Sequence, residues 1–564
     1  MEALDWLVIG VFFLALIGII VWVVRQKQND SADYFLGGRD ATWLAIGASI
    51  FASNIGSEHL IGLAGAGASS GMAMAHWEIQ GWMILILGWV FVPFYTRSMV
   101  YTMPEFLERR YNPQSRTILS VISLVSYVLT KVAVTVYAGG LVFQQVFGIK
   151  ELWGIDFFWI AAIGLVVLTA LYTIFGGMKS VLYTSGLQTP ILLLGSLIIL
   201  VLGFKELGGW DEMMRVCGAV TVNDYGDTMT NLIRSNDDAN FPWLGALIGS
   251  AIIGFWYWCT DQFIVQRVLS GKNEMEARRG TIFGAYLKLL PVFLFLIPGM
   301  IAFALHQKYI GAGGEGFLPM LANGTANADA AFPTLVAKLL PAGVKGLVVC
   351  GILAALMSSL ASLFNSSAML FTIDFYKRFK PETPEKKLVG IGQIATIVIV
   401  VLGILWIPIM RSVGDVLYTY LQDVQSVLAP GIAAAFLLGI CWKRTSAQGG
   451  MWGLISGMVI GLTRLGAKVY YSNAGEVADS TFKYLFYDMN WLFFCGWMFL
   501  FCIIVVIVVS LATEAPTAEK IQGLVFGTAT KKQKAATRAS WNHWDIIHTV
   551  IILAITAAFY WYFW

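Results

Sequence analysis

Small and hydroxyl residues follow one another through one strongly apolar stretch of the chain. The run from Ala354 to Ser367 places Ser358 and Ser359, with further serines, among alanines and leucines. A hard monovalent cation needs several neutral oxygens, and paired hydroxyls supply them without the cost of burying several carboxylates. Such a row can also simply pack helices together, but its chemistry favours a cation site.

Two other apolar stretches carry polar residues at their centres. Residues 47–59 have serine, asparagine and glycine in the middle, and residues 254–262 end in Thr260, Asp261 and Gln262. We expect both helices to break there, because the carbonyls that a break exposes are tolerated in a membrane where they line a cavity or hold a cation. Broken helices at corresponding places in two halves indicate the binding site of a transporter. Glycine-mediated helix packing is the alternative.

Four ionisable residues fall inside apolar stretches: Glu78, Lys131, Asp261 and Lys288. Lys288 lies about 13 Å along a helix from Arg279, near the middle of a bilayer. Such residues are costly in a membrane and commonly mark substrate pathways. For Lys288 we favour a hydrogen-bonding role in a cavity, whereas the alternative, an ion pair that holds helices together, is stronger for Glu78 and Lys131.

Composition excludes a soluble globular protein. Of 564 residues, 58% are hydrophobic and 13% are charged, and single compact cores stop growing at about 250 to 300 residues. The remaining apolar surface must face lipid. The net charge of +3 is small and forms no basic stripe, which argues against nucleic acid as a partner.

Cysteine and histidine usage does not indicate an enzyme. The six cysteines have neither a disulfide framework nor metal-ligand spacing. Five histidines occur, and Glu58 and His59 are adjacent, so they lie on different faces of a helix and cannot form a metal pair at helical spacing. We therefore expect no catalytic constellation.

The apolar stretches predict an all-α polytopic membrane protein with about 14 transmembrane helices. The predicted spans are residues 5–26, 42–72, 76–95, 117–147, 152–174, 181–204, 242–269, 281–306, 334–376, 388–410, 413–441, 446–470, 486–512 and 546–564. Lysine and arginine alternate between the connecting loops so that both termini fall outside the cytoplasm. The segment from Thr513 to Asp545 is expected to be a flexible linker on the cytoplasmic side.

A single transmembrane domain, residues 1–564, accounts for these spans. The five-helix spacing between the broken stretches predicts a first repeat at 42–204 and a second at 242–441, with peripheral helices in 1–41 and 442–564.

Over residues 30 to 450 the sequence resembles the sodium/solute symporter family, and within it the sodium/glucose cotransporter branch. The segments that carry this resemblance are Phe51–Ser57, Tyr101–Glu105, Leu171–Gly177, Trp256–Arg267, Tyr286–Leu289, Met357–Leu360 and Pro430–Leu438. The resemblance implies a leucine-transporter-type 5+5 inverted repeat preceded by an extra helix. It also implies a plasma-membrane symporter that imports a hexose with sodium by alternating access.

The resemblance further assigns residues to the two sites. Sodium would be held by the carbonyls of Ala52, Ile55 and Ala355 and the hydroxyls of Ser358 and Ser359. The residues implied around the sugar are Asn54, His59, Glu78, Lys288 and Gln422, with Trp77, Tyr257, Trp258 and Tyr418 as an aromatic lining. Carboxylate, ammonium, amide and imidazole groups suit a polyol, whose hydroxyls donate and accept. Tyr257 would stack on the ring and close its inner side.

One departure from the family pattern concerns coupling. Members that use two sodium ions commonly have Tyr-Thr-Asp where this chain has Tyr183, Thr184 and Ser185. Because the carboxylate is missing, we expect one sodium ion per sugar. Inositol, another polyol or an acidic sugar remains an alternative substrate, and a membrane-embedded solute sensor is an alternative function.

Overall fold

The structure is a computed structural model of residues 1–564. It describes the chain except residues 27–29, 57, 322–323, 412–416 and 474–477, and it also leaves undescribed the side chains of residues 128–130, 141, 145, 406–411, 417–421, 423 and 472–473. The described part is almost entirely helical.

The α-helices, in chain order, are α1 Ala3–Arg25, α2 Ser31–Leu36, α3 Trp43–Asn54, α4 Ala64–Ser70, α5 Ala75–Glu78, α6 Gly81–Ile86, α7 Val92–Ser98, α8 Met103–Arg110, α9 Pro113–Ser126, α10 Ala133–Phe147, α11 Phe157–Leu207, α12 Trp210–Gly218, α13 Trp243–Gly254, α14 Gln262–Leu269, α15 Glu274–Lys288, α16 Ile297–Gly311, α17 Ala331–Leu339, α18 Val344–Met369, α19 Lys377–Phe379, α20 Glu385–Arg411, α21 Leu417–Cys441, α22 Ala447–Asn473, α23 Thr481–Lys483, α24 Trp491–Ala512, α25 Ala518–Ile521, α26 Lys531–Ala539 and α27 His543–Tyr562.

Shorter elements join several of these helices. The π-helical turns are Glu58–Leu63, Leu87–Phe91, Tyr127–Val132, Phe255–Thr260, Val292–Leu296, Leu370–Tyr376 and Tyr484–Asp488, and the 3₁₀ turns are Gly37–Arg39, Gly71–Met74 and Ala328–Ala330. Two strands, β1 Glu151–Leu152 and β2 Ile155–Asp156, pair antiparallel in the loop before α11.

In the described part of the chain, ten helical segments are long and apolar enough to cross a membrane. One of them, α11, has 51 residues and turns at Gly177, where φ is 52° and ψ is −149°, so it divides into two parts near the predicted boundary between residues 174 and 181. The ten segments confirm a polytopic α-helical protein. The predicted number of about 14 crossings stays a prediction.

Both predicted helix breaks are present. The first helix, α3, ends at Asn54, the backbone at Ile55 is extended with φ −77° and ψ 108°, and a π-helical turn begins at Glu58. The second break follows α13 and its π-helical turn, which ends at Thr260. The backbone at Asp261 is extended, and its side chain caps α14 by accepting a hydrogen bond from the Phe263 amide. Carbonyl and amide groups at both breaks are therefore free to bind something other than their own helix.

Close helix approaches surround the first break. Gly47 of α3 packs on α15, where an added Cβ would lie 2.5 Å from the Phe283 ring. On the far side of the break, Gly299 of α16 meets the Ala64 carbonyl so closely that a Cβ has no room. Small residues thus fix the position of the broken helix between its neighbours.

The predicted flexible linker between Thr513 and Asp545 is instead ordered, and that expectation was wrong. It contains α25 and α26. The Lys520 ammonium donates to the Glu108 carbonyl over 2.8 Å, and the Phe526 amide donates to the Ile440 carbonyl over 2.8 Å. These bonds hold the segment against the ends of α8 and α21.

All six cysteines lie in the described part of the chain and all are free. Five are buried, and Cys441 at the end of α21 is exposed. The absence of a disulfide framework agrees with their spacing.

Candidate solute and cation sites

A small cavity lies between the two broken helices. Its volume is about 40 Å³, well below the roughly 300 to 1,000 Å³ of pockets that enclose a drug-sized ligand. The lining residues are Asn54, Glu58, His59, Trp77, Glu78, Gln80, Ile253, Gly254, Tyr257, Trp258, Lys288, Gln422 and Gln425. The lining includes every predicted sugar-site residue whose side chain the structure describes; the side chain of Tyr418 lies outside the described residues.

Glu78 is the electrostatic centre of this cavity. Its Oε2 accepts from the Lys288 ammonium over 2.6 Å and lies 3.2 Å from His59 Nε2. Each of the three residues is 3% exposed. Lys288 therefore forms the ion pair that we had considered as its alternative role, and it also lines the cavity. Lys288 has both roles, because the Lys288–Glu78 ion pair itself forms one wall of the cavity.

Asn54 links the ion pair to the second broken helix. Its Oδ1 accepts from the Lys288 ammonium over 3.1 Å, and its Nδ2 donates to the Tyr257 hydroxyl over 3.1 Å. The end of α3 is thus joined to α15 and to the π-helical turn after α13. A substitution at any one of these groups will therefore alter the hydrogen bonds of the others.

Three buried polar atoms in the lining have no hydrogen-bond partner among the described residues. They are His59 Nδ1, Trp77 Nε1 and Gln422 Oε1. A buried polar atom without a partner costs about 1 to 3 kcal/mol, so three around one cavity call for an explanation. Between them they offer an indole donor, an amide acceptor and an imidazole nitrogen, which suits hydroxyl groups.

Aromatic rings complete the wall of the cavity. The Tyr257 and Trp258 rings lie 4.9 Å apart at 84°, and the Lys288 ammonium lies 5.3 Å from the Trp258 ring. Trp77 stacks on Trp491 at 5.6 Å. An aromatic face beside hydrogen-bonding groups is suited to a ring with apolar faces and polar edges.

A second ion pair lies directly behind Tyr257. The Lys131 ammonium is 2.6 Å from Asp261 Oδ2 and 4.6 Å from the centre of the Tyr257 ring, and the Tyr127 hydroxyl donates to Asp261. The expectation that Lys131 is structural agrees with this geometry. Asp261 holds the end of one broken helix to the helix that carries Lys131.

Sequence reasoning missed three polar lining residues, Glu58, Gln80 and Gln425, in addition to Ile253 and Gly254. Gln80 follows Glu78 by two residues, and Gln425 follows Gln422 by one helical turn. Helical spacing from the predicted residues would have found Gln425. It would not have found Gln80, because α5 and α6 are separated by a turn at Ile79 and Gln80.

Two of the predicted cation ligands, Ile55 and Ser359, meet where α3 ends against α18. The Ser359 hydroxyl donates to the carbonyls of Ser53 and Ile55 over 3.0 and 3.2 Å. Ala52 and Ala355 lie about one turn before Ile55 and Ser359 on the same two helices. The exposed carbonyls of a broken helix thus face a hydroxyl, an arrangement of neutral oxygens that suits a sodium ion.

Ser358 points to a different neighbour. Its hydroxyl lies 3.2 Å from the hydroxyl of Ser185, which itself donates to the Val181 carbonyl over 2.6 Å. Ser185, the departure noted in the sequence, therefore adjoins the predicted cation ligands. Ser185 and Ser358 supply two hydroxyls here, and the described contacts of this pair include no carboxylate.

Comparison with known proteins decides the family. The profile of the "Sodium:solute symporter family" matches residues 34–457, which is more than half of the chain. The chain belongs to the sodium:solute symporter family. It is 37% identical over 542 residues to "Sodium/myo-inositol cotransporter 2" of Mus musculus, covering 94% of this chain and 80% of that protein. It is 36% identical over 537 residues to "Sodium/glucose cotransporter 4" of Danio rerio, covering 92% and 80%.

The fold of this symporter is that of a solved Na⁺-coupled transporter. A substrate-bound, outward-open structure of a Na⁺-coupled sialic acid symporter superimposes with a TM-score of 0.72, 21% identity, and coverage of 92% of this chain and 99% of that one. At this identity the likeness shows the fold, and it confirms the predicted leucine-transporter-type class.

Family membership settles the broad function of the symporter. It is a multi-pass membrane protein that couples sodium to a small solute, and it is not an enzyme, as predicted. The expected hexose is less well supported: relatives named for myo-inositol match at least as well as one named for glucose. The alternative polyol is favoured over our first expectation.

Proposed function

We propose that the symporter imports a cyclic polyol, with myo-inositol ahead of a hexose. The observation that carries this proposal is the ring of unpartnered polar atoms around the Glu78 and Lys288 ion pair. A cyclic polyol with a hydroxyl on every ring carbon can form hydrogen bonds with the unpartnered atoms of His59, Trp77 and Gln422 at the same time. The relatives named as sodium/myo-inositol cotransporters support the same choice.

The Glu78 cluster explains why a neutral solute is preferred to an acidic sugar. Glu78 already accepts a hydrogen bond from the Lys288 ammonium and faces His59, so the carboxylate largely neutralises the ammonium charge. A second carboxylate brought in by the solute would have no free cation in the described lining. Hydroxyl groups can bridge the existing charges without adding a new one.

Sodium would bind between the end of α3 and α18, held by Ala52, Ile55, Ala355, Ser358 and Ser359. Coupling follows if the ion steadies the broken helix and so fixes Asn54, which bonds both Lys288 and Tyr257. Sodium and solute then favour the same conformation, and closure of one side with opening of the other carries both inward. Ser185 in place of a carboxylate supports one sodium ion per solute.

The proposal also includes the division into repeats, the orientation in the membrane and the cellular location. The repeats span residues 42–204 and 242–441, flanked by peripheral helices in 1–41 and 442–564. The positively charged loops face the cytoplasm, both termini lie outside, and the protein works in the plasma membrane.

A sodium-dependent uptake panel tests the solute. Purified protein in proteoliposomes, with an inward sodium gradient, is given radiolabelled myo-inositol in the presence of excess glucose, galactose, a linear polyol or an acidic sugar. We expect uptake that requires sodium, that unlabelled myo-inositol abolishes, and that the acidic sugar leaves unchanged. Uptake of a linear polyol or an acidic sugar in preference to both rings would overturn the proposal.

A hexose is the second candidate, because a relative named as a sodium/glucose cotransporter is 36% identical. The same panel with labelled glucose separates the two. The Gln422→Glu variant serves as a control in both arms: it keeps the shape but adds a charge beside Glu78, so it should lower uptake of either ring.

A further inference from the structure

A second, larger cavity lies at the ends of α7 and α8, under the ordered segment between α24 and α27. Its volume is about 350 Å³. The residues that give it its character are Arg97, Ser98, Arg109, Glu519, Lys520 and Gln533. It lies on the side that the basic residues mark as cytoplasmic, away from the solute cavity.

The lining of this cavity has an excess of positive charge. Three cationic side chains face one carboxylate, Glu519. Arg109 is paired to Glu105 over 3.0 Å, but Lys520 donates to a carbonyl, that of Glu108. The structure describes no carboxylate within ion-pair distance of Lys520.

Arg97 is incompletely satisfied as well. Its guanidinium donates to the Thr537 hydroxyl, while its Nε is buried and has no partner among the described residues. The hydroxyl carries no charge, and Glu274, whose charge acts on Arg97, is itself paired to Arg278. Arg97 lines the cavity, and a guanidinium is the group that most readily binds a planar or tetrahedral oxyanion.

The neighbouring helix α26 adds to the positive field. It begins after Thr530, whose capping box with the lining residue Gln533 fixes the start of the helix. Lys531, Lys532 and Lys534 of this helix are exposed. Basic residues close to a membrane surface each contribute about 1 kcal/mol of attraction to anionic lipid.

We propose that this cavity binds a phosphate monoester group, presented by the headgroup of an anionic lipid or by a free phosphate compound. A monoester carries about two negative charges near neutral pH. The lining cations Arg97, Arg109 and Lys520 outnumber the lining carboxylate Glu519, although Arg109 is also paired to Glu105. Because these cations belong to α7, α8 and α25, one phosphate would tie the ordered segment to the ends of α7 and α8.

Binding to the full-length protein in detergent is the direct test. The probes are dioctanoyl phosphatidic acid and inorganic phosphate, with dioctanoyl phosphatidylcholine as the neutral lipid. We expect saturable binding of at least one phosphate monoester and none of phosphatidylcholine. The triple variant Arg97→Gln, Arg109→Gln, Lys520→Gln should weaken this binding at least tenfold. Tight binding of the lipid probe alone identifies a lipid headgroup, and equal binding of inorganic phosphate identifies a free compound.

The matched control removes the same charge elsewhere on the same side. Lys380, Lys386 and Lys387 are exposed, and their triple change to Gln should leave the affinity within twofold. Equal loss in both triples, or full affinity in the cavity triple, overturns the site. If the cavity triple does not fold, Arg109→Gln alone replaces it, since that side chain is 45% exposed; it should weaken binding severalfold while sodium-driven uptake continues.

Discussion

At the scale of single residues, the solute cavity depends on one carboxylate that serves two basic partners. Glu78 contacts Lys288 and His59 in the wall of a cavity of about 40 Å³. Breaking a buried pair by removing one partner costs about 3 to 5 kcal/mol, because the other charge is left unanswered. The cluster is therefore both a binding surface and a point of vulnerability.

Replacing Lys288 with Ala should reduce the ratio of the maximal uptake rate to the KM for solute at least tenfold. The variant removes the donor to Glu78 and to Asn54, and a hydrogen bond to a charged group is worth about 1.5 to 3 kcal/mol. The measurement is the concentration dependence of solute uptake at saturating sodium. Lys308→Ala is the control, since Lys308 donates to the Leu207 carbonyl far along the chain from the site. Wild-type kinetics in the Lys288 variant would remove that residue from the site.

Replacing Ser359 with Ala should raise the sodium concentration for half-maximal uptake about tenfold. The hydroxyl is the group that faces the carbonyls of Ser53 and Ile55, and one lost ligand of about 1.4 kcal/mol gives that factor. Uptake is measured against sodium at a fixed solute concentration. Ser367→Ala, two turns further along α18 and buried without a described partner, should leave sodium dependence unchanged. A sodium response that Ser359→Ala does not alter would exclude this hydroxyl as a ligand.

At the scale of the elements, the break in the first helix sits against α18 without spare room. An added Cβ on Gly56 would lie 2.7 Å from the Ser359 hydroxyl oxygen, closer than side chains normally approach. The glycine is needed here for contact between two elements. The break and the hydroxyl row must therefore be considered as one unit.

Gly56→Ala is expected to weaken sodium dependence as strongly as the loss of the Ser359 hydroxyl, because the new methyl group displaces that hydroxyl. Gly164→Ala in α11 is the matched control, since its Cβ meets nothing within 4 Å and alanine favours a helix. Sodium titration of uptake distinguishes the two. Equal behaviour of both alanine variants would show that the contact at Gly56 is unimportant for the ion.

The 3₁₀ turn Ala328–Ala330 packs against the second part of the broken helix and introduces a pH dependence. Burial raises the pKa of Asp329 to about 6, and its Oδ1 would lie 2.6 Å from a Cβ on Gly65. A carboxyl whose pKa is raised on folding stabilises the fold below its unfolded pKa, near 3.8. That stabilisation is lost as pH rises through 6.

Thermal unfolding between pH 4.5 and 7.5 checks this effect. The wild-type protein should lose about 1 to 3 kcal/mol of stability across that range through Asp329, and Asp329→Asn should remove this part of the pH dependence. Identical pH profiles of the two proteins would show that the carboxyl is hydrated when folded.

The elements also show what the sequence can and cannot predict. Both broken helices were predictable, because Ser-Asn-Ile-Gly and Thr-Asp-Gln interrupt otherwise apolar runs. The order of the segment around Lys520 and Phe526 was not, since it is held by the distant carbonyls of Glu108 and Ile440, and a backbone acceptor leaves no mark in composition. Its polar character predicts solvent exposure, which is a different property from mobility.

At the scale of the whole molecule, the proposed solute and cation sites share α3. Asn54 ends that helix and bonds the solute wall, while the neighbouring Ser53 and Ile55 carbonyls face Ser359. The two sites are separated by about one residue of backbone. Coupling by direct contact through a short segment needs no long-range pathway.

The expected coupling ratio is one sodium ion per solute molecule, because Ser185 supplies no carboxylate for a second ion. At 100 mV one inward charge contributes about 2.3 kcal/mol, in addition to the sodium gradient. The potential at which net solute flux reverses, measured in proteoliposomes at several sodium ratios, gives the stoichiometry. A slope that requires two ions would contradict the predicted ratio of one sodium ion per solute. Ser185→Asp is the informative companion variant, since it restores the missing carboxylate and should raise the ratio or the sodium affinity.

Cys441, the exposed cysteine at the end of α21, offers a ready attachment point for a fluorescent maleimide. The other five thiols are buried, so mild labelling should modify one position without the prior construction of a cysteine-free chain. The neighbouring Ile440 carbonyl is the group that holds the Phe526 amide. The fluorescence of a dye at Cys441 would therefore report whether the segment around Phe526 stays docked against α21 during transport.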